Sequence, residues 1–372
     1  MAWVEKHGSG FRVRYRLPDE SLYSETGFAT RDEADDRAAD VESDQRRGRL
    51  VDPRLAQTTI GDWVTRWLEA LDVGPGTSAT YHSHLHNHIL PRFGTTELGE
   101  LSRMGIKGPA KSLRRSLSDH SVADVVGLLS MILGEAVDEG LIGANPCRKL
   151  RLNAGDQPER PFATAEEVDR ITHRMTPANA TLVTTAAYTG MRWGELAGLQ
   201  WSRVDLDQAQ VTITRTDGAL HELGGRLELG PPKTPAAVRT IDLPPFLVGL
   251  LGEHQHHYPG RFVFTGADGG LYRRSNFRRR AWLPAVEGSR ARGWTPIKPG
   301  MHFHDLRHTH KTWLIEDEIP EVLQHVRLGH KFHGIRGIYS HVTQLMTQRL
   351  LDLLQARWER TGSTACLTSS EN

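Results

Sequence analysis

Residues 189–196 read Thr189-Gly190-Met191-Arg192-Trp193-Gly194-Glu195-Leu196, a glycine turn leading into a helix. Arg192 and Glu195 stand three apart and can share one helix face; the plain alternative is a surface ion pair worth under about 1 kcal/mol. Three later segments belong beside this one. Lys233 lies in Pro231-Pro232-Lys233-Thr234, at a strand-linked turn before Arg239-Thr240-Ile241, and by itself a loop lysine is a solvated charge. His304-Asp305-Leu306-Arg307 sets a histidine and an arginine at i, i+3 on a helix. Leu328-Gly329-His330 follows, with Tyr339 nine residues further on.

These segments fall in a unit spanning residues 162–360. Thr164-Ala165-Glu166-Glu167 has the capping-box form and opens a helix, and helical periodicity continues to about Leu199. Residues 210–243 show strand alternation at Val211 and Ile213, with turn signals at Asp217-Gly218 and Gly224-Gly225. From about Ser275 the pattern is mostly helical to Arg360, and residues 361–372 form a polar tail.

Upstream, residues 56–150 read as all-helical. Ile60, Trp63, Val64, Trp67, Leu68 and Leu71 fit one buried face of a helix. A second helix is expected over residues 78–90, stopping before Pro91, and a short one over 106–118 carrying Lys107, Lys111, Arg114 and Arg115. Val122, Val125, Val126, Leu129, Ile132, Leu133 and Ala136 mark another that ends near Gly140, and Asn145-Pro146 closes the unit. Residues 151–161 read as a linker. Residues 1–55 read as a small sheet followed by a helix. Phe11, Val13, Tyr15 and Leu17 alternate with Arg12, Arg14 and Arg16, a second strand covers 22–28, and Thr30-Arg31-Asp32-Glu33 caps a helix that stops near Gly48.

The chain has 372 residues, enough for two or three domains, and its composition (38% hydrophobic, 24% charged) excludes disorder of the whole. No apolar stretch in the sequence approaches the 18 residues of a membrane span, and the start MAWVEKHGSG does not read as a secretory signal. Cys147 and Cys366 give neither a disulfide framework nor a four-ligand zinc site, so the expected setting is a reducing cytoplasm. Net charge is only +1, yet residues 271–311 carry ten basic residues against Glu287 and Asp305. Such a tract is either a solvated face or a surface for phosphate backbone; Arg273, Arg274, Arg278 and Arg279 are its candidate DNA contacts, alongside Arg12, Arg14, Arg16, Lys107 and Lys111.

Taken together, the Thr-Gly-x-Arg-x-x-Glu-Leu box, the lysine, His-x-x-Arg, Leu-Gly-His and the following tyrosine resemble the tyrosine recombinase (phage integrase) family, in its order and approximate spacing. Thr80-Tyr81, Pro91-Arg92-Phe93-Gly94 and Asn145-Pro146-Cys147 are similar to the family's core-binding domain, and residues 1–55 resemble an arm-site-binding domain with a three-stranded sheet and one helix. The resemblance implies a multidomain α+β chain: an arm-binding front domain (1–55), an all-α, SAM-like core-binding domain (56–150), and a mostly α catalytic domain with a small antiparallel sheet (162–360).

It also implies a site-specific recombinase that cuts and rejoins phage or mobile-element DNA through a 3′-phosphotyrosyl intermediate. Tyr339 would be the nucleophile, Arg192 and Arg307 forks on the non-bridging phosphate oxygens, and His330 a further donor to them. Lys233 would protonate the departing 5′ oxygen, His304 would help deprotonate Tyr339, and Glu195 would position the first arginine. No metal or nucleotide cofactor is implied. The implied partners are double-stranded DNA at core and arm sites, a homotetramer on that DNA, and a directionality factor or host DNA-bending protein; the setting is the bacterial cytoplasm at the nucleoid, with no membrane. The helix after Tyr339, with Leu345, Met346, Leu350, Leu353, Leu354 and Trp358, would dock on a neighbouring protomer.

The alternatives are a chromosome-dimer resolvase, a DNA-binding regulator that has lost catalysis, and a metal-dependent hydrolase built on His302 and His304. Arg307 near that His-x-His pair would repel a dication. His82, His84, His86 and His88 alternate, but only the i, i+4 pairs share a helix face, with no carboxylate or cysteine beside them.

Overall fold

The computed structural model describes residues 1–48, 50–152, 159–266, 268–331 and 341–362. The chain divides into two compact units, Met1–Gln157 and Pro158–Asn372.

The first unit holds two hydrophobic cores. At its front, β1 (Ala2–His7), β2 (Gly10–Arg16) and β3 (Leu22–Phe28) form an antiparallel meander. Periodicity alone shows β2 and β3; β1 is the strand it misses. The register pairs Val4 with Val13 and Trp3 with Arg14, so alternate residues line opposite faces. Val13 and Tyr15 on the inner face pack against Ala34 and Val41 of the helix Arg31–Arg46. That helix starts as expected: Thr30 Oγ1 accepts from Glu33 N–H, and the Glu33 carboxylate accepts from Thr30 N–H.

The second core is helical. Ile60–Glu69, Arg103–Leu113 and the 20-residue helix Asp119–Asp138 bury apolar stripes against one another. The last of these is long and apolar enough to cross a membrane by composition, but Val122, Leu129, Ile132 and Leu133 are packed in this core. The basic helix lies at 103–113 rather than 106–118. The expected stop before Pro91 is not observed. The helix Pro75–His84 continues through a π turn, Leu85–Ile89, into Leu90–Phe93. Leu90 N–H bonds Leu85 O across that wider turn, which accommodates a proline that cannot donate. The same device recurs at Arg278–Trp282, where Leu283 N–H bonds Arg278 O just ahead of Pro284. Asn145 locks the end of the unit, donating to Ser130 O at 2.8 Å and accepting from Cys147 N–H at 2.9 Å. Cys147 is buried, and burial pushes its thiol up to about 11.

The second unit is mostly helical. Ala165–Thr172, with both halves of its capping box formed, leads to Pro177–Thr189 and the short Trp193–Ala197. The antiparallel strands divide into two sheets: β4 (Val204–Asp205), β5 (Gln210–Ile213) and β8 (Arg239–Asp242) in one, and the hairpin β6 (Ala219–Leu223) and β7 (Arg226–Gly230) in the other. The helices Pro245–His257, Asp305–Glu316, Glu321–Leu328 and Gln344–Glu359 complete the core.

The expectation that the last helix, or part of it, docks on a neighbour does not hold for Leu350 and Leu354. Leu350 and Leu354 are buried in this unit's own core, and the Trp358 ring stacks on Phe246 at 4.4 Å and 7°. Arg357 bonds Asp317 at 2.7 Å and lies over the Trp313 ring. This chain covers the apolar face at Leu350 and Leu354, while Leu345 at the helix start is 79% exposed.

Candidate active site

Gly190 ends the Pro177–Thr189 helix in the left-handed region, at φ +66°. A Cβ there would lie 2.6 Å from Leu328 Cδ2 and 2.9 Å from His310 Cδ2, so the turn tolerates no side chain. The turn delivers Arg192 to the N-cap position of the Trp193–Ala197 helix, three residues ahead of Glu195. Glu195 Oε2 accepts from Arg192 N–H at 2.9 Å, and Oε1 accepts from Arg192 Nη1 at 2.9 Å. This is no surface ion pair: the Glu195 side chain is 2% exposed. Burial raises its pKa, but Arg239 and Arg192 more than offset this and hold the carboxyl below its ordinary range.

Arg307 is buried on the Asp305–Glu316 helix and joins three segments. Nη1 donates to Gly190 O at 2.6 Å; Nη2 donates to Leu328 O and meets His330 Nε2 at 2.8 Å. Gly329, at φ +65°, turns the chain from the Glu321–Leu328 helix toward His330. A Cβ on Gly329 would sit 2.9 Å from Ala236 O. Burial, with Arg192 and Arg239 adding repulsion, lowers the Arg307 pKa. His330 is brought down to about 4 by burial and by Arg307 and Arg192. His304, at the N-cap of the Asp305–Glu316 helix, keeps one side open to solvent. Desolvation by the surrounding protein, then His308 and Arg307, still lower it to about 4. Both imidazoles are therefore neutral at pH 7.

The structure thus brings Arg192, Glu195, Arg307 and His330 into one cluster, with His304 at its border. Lys233 is exposed on the loop between β7 and β8, a separate segment linked to the cluster through Arg239, which donates to Ala237 O at 2.7 Å. Tyr339 lies outside the described residues. Sequence reading misses three buried members of the network: Arg239, His310 and Arg327. Arg327 donates to His310 Nε2, Asp242 O and Tyr188 O, each at 2.9 Å. A usable signal existed at Arg239, which shares the inward phase of β8 with Ile241; a charge on the buried face of a strand needs a buried partner.

Among the described residues no group of three or more His, Cys, Asp or Glu side chains is arranged to hold a metal ion. His302 is exposed and lies 3.6 Å from Asp305, while His304 borders two arginines. That donor set does not fit the metal-dependent hydrolase alternative.

The candidate DNA contacts lie elsewhere. Arg12, Arg14 and Arg16 share the outer face of the front sheet; Glu5 binds Arg12 at 2.6 Å and Arg14 at 3.4 Å, and Arg16 donates to Glu20 O. Lys107, Lys111, Arg273, Arg274, Arg278 and Arg279 are all exposed.

Residues 161–346 match the model of the phage integrase family. The chain belongs to the phage integrase family. It is 28% identical over 311 residues to the integrase assigned to prophage phiRv2 of Mycobacterium tuberculosis, covering 79% of this chain and 77% of that one. It is 26% identical over 352 residues to a XerC-like tyrosine recombinase of Caldanaerobacter subterraneus, covering 84% and 86%. Its fold is similar to that of lambda integrase, solved as a tetramer bound to a Holliday junction, with a TM-score of 0.57, 18% identity, and coverage of 89% and 97%. As an integrase of this family the protein is a site-specific tyrosine recombinase of phage or mobile-element type.

Proposed function

We propose that this integrase cuts and rejoins double-stranded DNA by transient 3′-phosphotyrosyl linkage to Tyr339, inserting or excising a phage or mobile element in the cytoplasm of a bacterial host. The observation that carries the proposal is the charge balance of the cluster. Arg192 and Arg239 share a single buried carboxylate, Glu195, while the buried Arg307 bonds Gly190 O, Leu328 O and His330, so the site holds excess positive charge where a phosphate would sit. Preorganised cations in a desolvated site act most strongly on charge that grows in the transition state.

The Tyr339 oxygen would attack phosphorus and displace the 5′ oxygen. The tyrosine proton would pass to His304, which is neutral and able to accept it, and the 5′ oxygen would take a proton from Lys233. Arg192, Arg307 and His330 would hold the non-bridging oxygens. Arriving phosphate would raise both imidazole pKa values, so that His330 becomes a better donor. The phosphotyrosyl bond conserves the energy needed to rejoin a second strand, so no nucleotide is consumed.

Residues 1–55 would hold arm sites through the outer face of the front sheet, and residues 56–150 and 162–360 would close on the core site. A tetramer would bring two duplexes together, aided by a directionality factor or host DNA-bending protein. The test uses nicked suicide duplexes drawn from the flanks of its own gene, with and without EDTA. The chain should form a covalent adduct in both, and Tyr339→Phe should bind without forming one. An adduct retained by Tyr339→Phe, or cleavage abolished by chelation and restored by zinc or manganese, would overturn the mechanism.

A further inference from the structure

The buried partner of Glu195 has no place in the chemistry described above. Arg239 points inward from β8, and its side chain is only 4% exposed. Its guanidinium lies against Glu195 in a fork: Nη1 donates to Oε1 at 3.2 Å and Nη2 to Oε2 at 3.0 Å. Its other bonds go to backbone. Nε donates to Arg327 O at 2.7 Å, two residues before Gly329, and Nη1 donates to Ala237 O at 2.7 Å, on the loop that carries Lys233. A Cβ on Gly329 would lie 3.2 Å from Arg239 Cδ, so the turn before His330 rests directly on this side chain.

We propose that Arg239 is a positioning residue for strand cleavage, which neutralises Glu195 so that Arg192 can orient on Glu195 yet keep its charge for the phosphate. The proposal rests on the reading of Arg192 as a phosphate ligand. Each Glu195 oxygen accepts one bond from Arg192 and one from Arg239. With Arg239 present, the carboxylate is shared between two cations, and the group as a whole carries one net positive charge. Without it, Arg192 would be the one cation still hydrogen-bonded to the buried carboxylate among the described residues. The two would form a closed, neutral pair, and the fork would turn toward Glu195 and away from DNA. The backbone bonds of Arg239 have a second consequence, since they hold the Lys233 loop and the approach to His330 in fixed relation to Arg192. A displacement of about 1 Å in such groups can cost about 100-fold in rate.

A purely structural arginine would make the same contacts, so the test turns on the charge of Glu195. Five full-length chains are compared on one suicide duplex: wild type, Arg239→Met, Arg239→Lys, Glu195→Gln, and the double variant. The readouts are adduct rate at saturating protein, DNA affinity, and thermal midpoint. Arg239→Met should cleave about 10- to 100-fold more slowly, with affinity within about threefold of wild type. Adding Glu195→Gln to it should recover at least about threefold of that loss, because the neutral amide no longer captures Arg192. The double variant carries no unpaired buried charge, so it remains informative if Arg239→Met alone does not fold; it should then cleave within about tenfold of Glu195→Gln, because a neutral residue 195 needs no counter-charge. Arg239→Lys keeps a cation beside Glu195 and should cleave faster than Arg239→Met, although it cannot span Glu195 and both backbone carbonyls. Wild-type rate in folded Arg239→Met, or a double variant no faster than Arg239→Met (or, where Arg239→Met does not fold, more than about tenfold slower than Glu195→Gln), overturns the proposal. Absence of any adduct from the wild-type chain instead overturns the reading of the site itself.

Discussion

His310 is wholly enclosed, donating from Nδ1 to Ala187 O at 2.9 Å and accepting at Nε2 from Arg327 at 2.9 Å. Both ring nitrogens are committed, so a second proton would have to displace the Arg327 bond. Burial, then the Arg327 charge, drive its pKa well below the ordinary histidine value, and His304 and His330 fall to about 4. In the unfolded chain all three would protonate near pH 6.5. Between pH 6.5 and 4 the unfolded state therefore binds more protons than the folded one, and stability falls as the solution is acidified. Above about pH 6.5 their contribution is fully present. The thermal midpoint of the DNA-free protein should drop from pH 7 to pH 5, and His310→Gln, which cannot titrate, should drop less over that interval. The variant should also start lower, because a reshaped contact at Arg327 costs about 1–3 kcal/mol. Equal acid sensitivity in the two proteins, read by calorimetry, would place the proton uptake at other groups.

At the scale of the element, the last helix gives the sharpest contrast between pattern and packing. Leu350 and Leu354 are each worth about 1.5–3 kcal/mol when buried, and an aspartate in either place brings an uncompensated charge into the core. Leu350→Asp with Leu354→Asp should therefore lower the thermal midpoint of the DNA-free monomer by at least about 5 °C. An unchanged midpoint would mean that the helix is held by its polar contacts alone. A one-sided stripe says that a helix is covered but not by what; only the Phe246 and Trp313 surfaces decide that. The same limit governs the rest of the chain. Ile60–Glu69 and Asp119–Asp138 are legible because their apolar spacing has one periodic solution, and the capping boxes at Thr30 and Thr164 mark helix starts. The passage through Pro91 is not legible, because a proline reads as a stop unless the preceding turn widens to a π form. Arg192, Glu195, Arg307 and His330 were legible as members of three boxes in order. Arg239 and Arg327 were not, since their partners are backbone carbonyls, a carboxylate and the His310 ring, brought near only by tertiary packing.

For the whole molecule, a net charge of +1 conceals basic surfaces set against acidic ones, and the front sheet shows both on one face. Trp3, Glu5, Arg12 and Arg14 lie together there by register, with Glu5 holding both arginines and the Trp3 indole donating to Glu5 at 2.8 Å. Hydrogen bonds from Trp3 and Arg12 keep Glu5 near pKa 2, so it is charged at any pH where DNA is bound. A phosphate approaching this face meets two arginines already occupied and a carboxylate that repels it. On the proposed reading of this face as an arm-site surface, Glu5 would weaken sequence-independent binding and leave the face to respond to duplexes whose own interactions offset the release of the arginines. On duplexes from its own attachment-site flanks, replacing Arg12, Arg14 and Arg16 together by Gln should flatten the log–log salt dependence by up to about 2.7, at about 0.9 for each phosphate that is no longer neutralised. Glu5→Gln should act in the opposite direction, tightening binding to random duplex more than to the flanking sites, with the largest gain at low salt. Fluorescence anisotropy across a salt series measures both. If Glu5→Gln instead weakens binding to both duplexes, the carboxylate serves to aim the two arginines at DNA, and competition with phosphate is not its role.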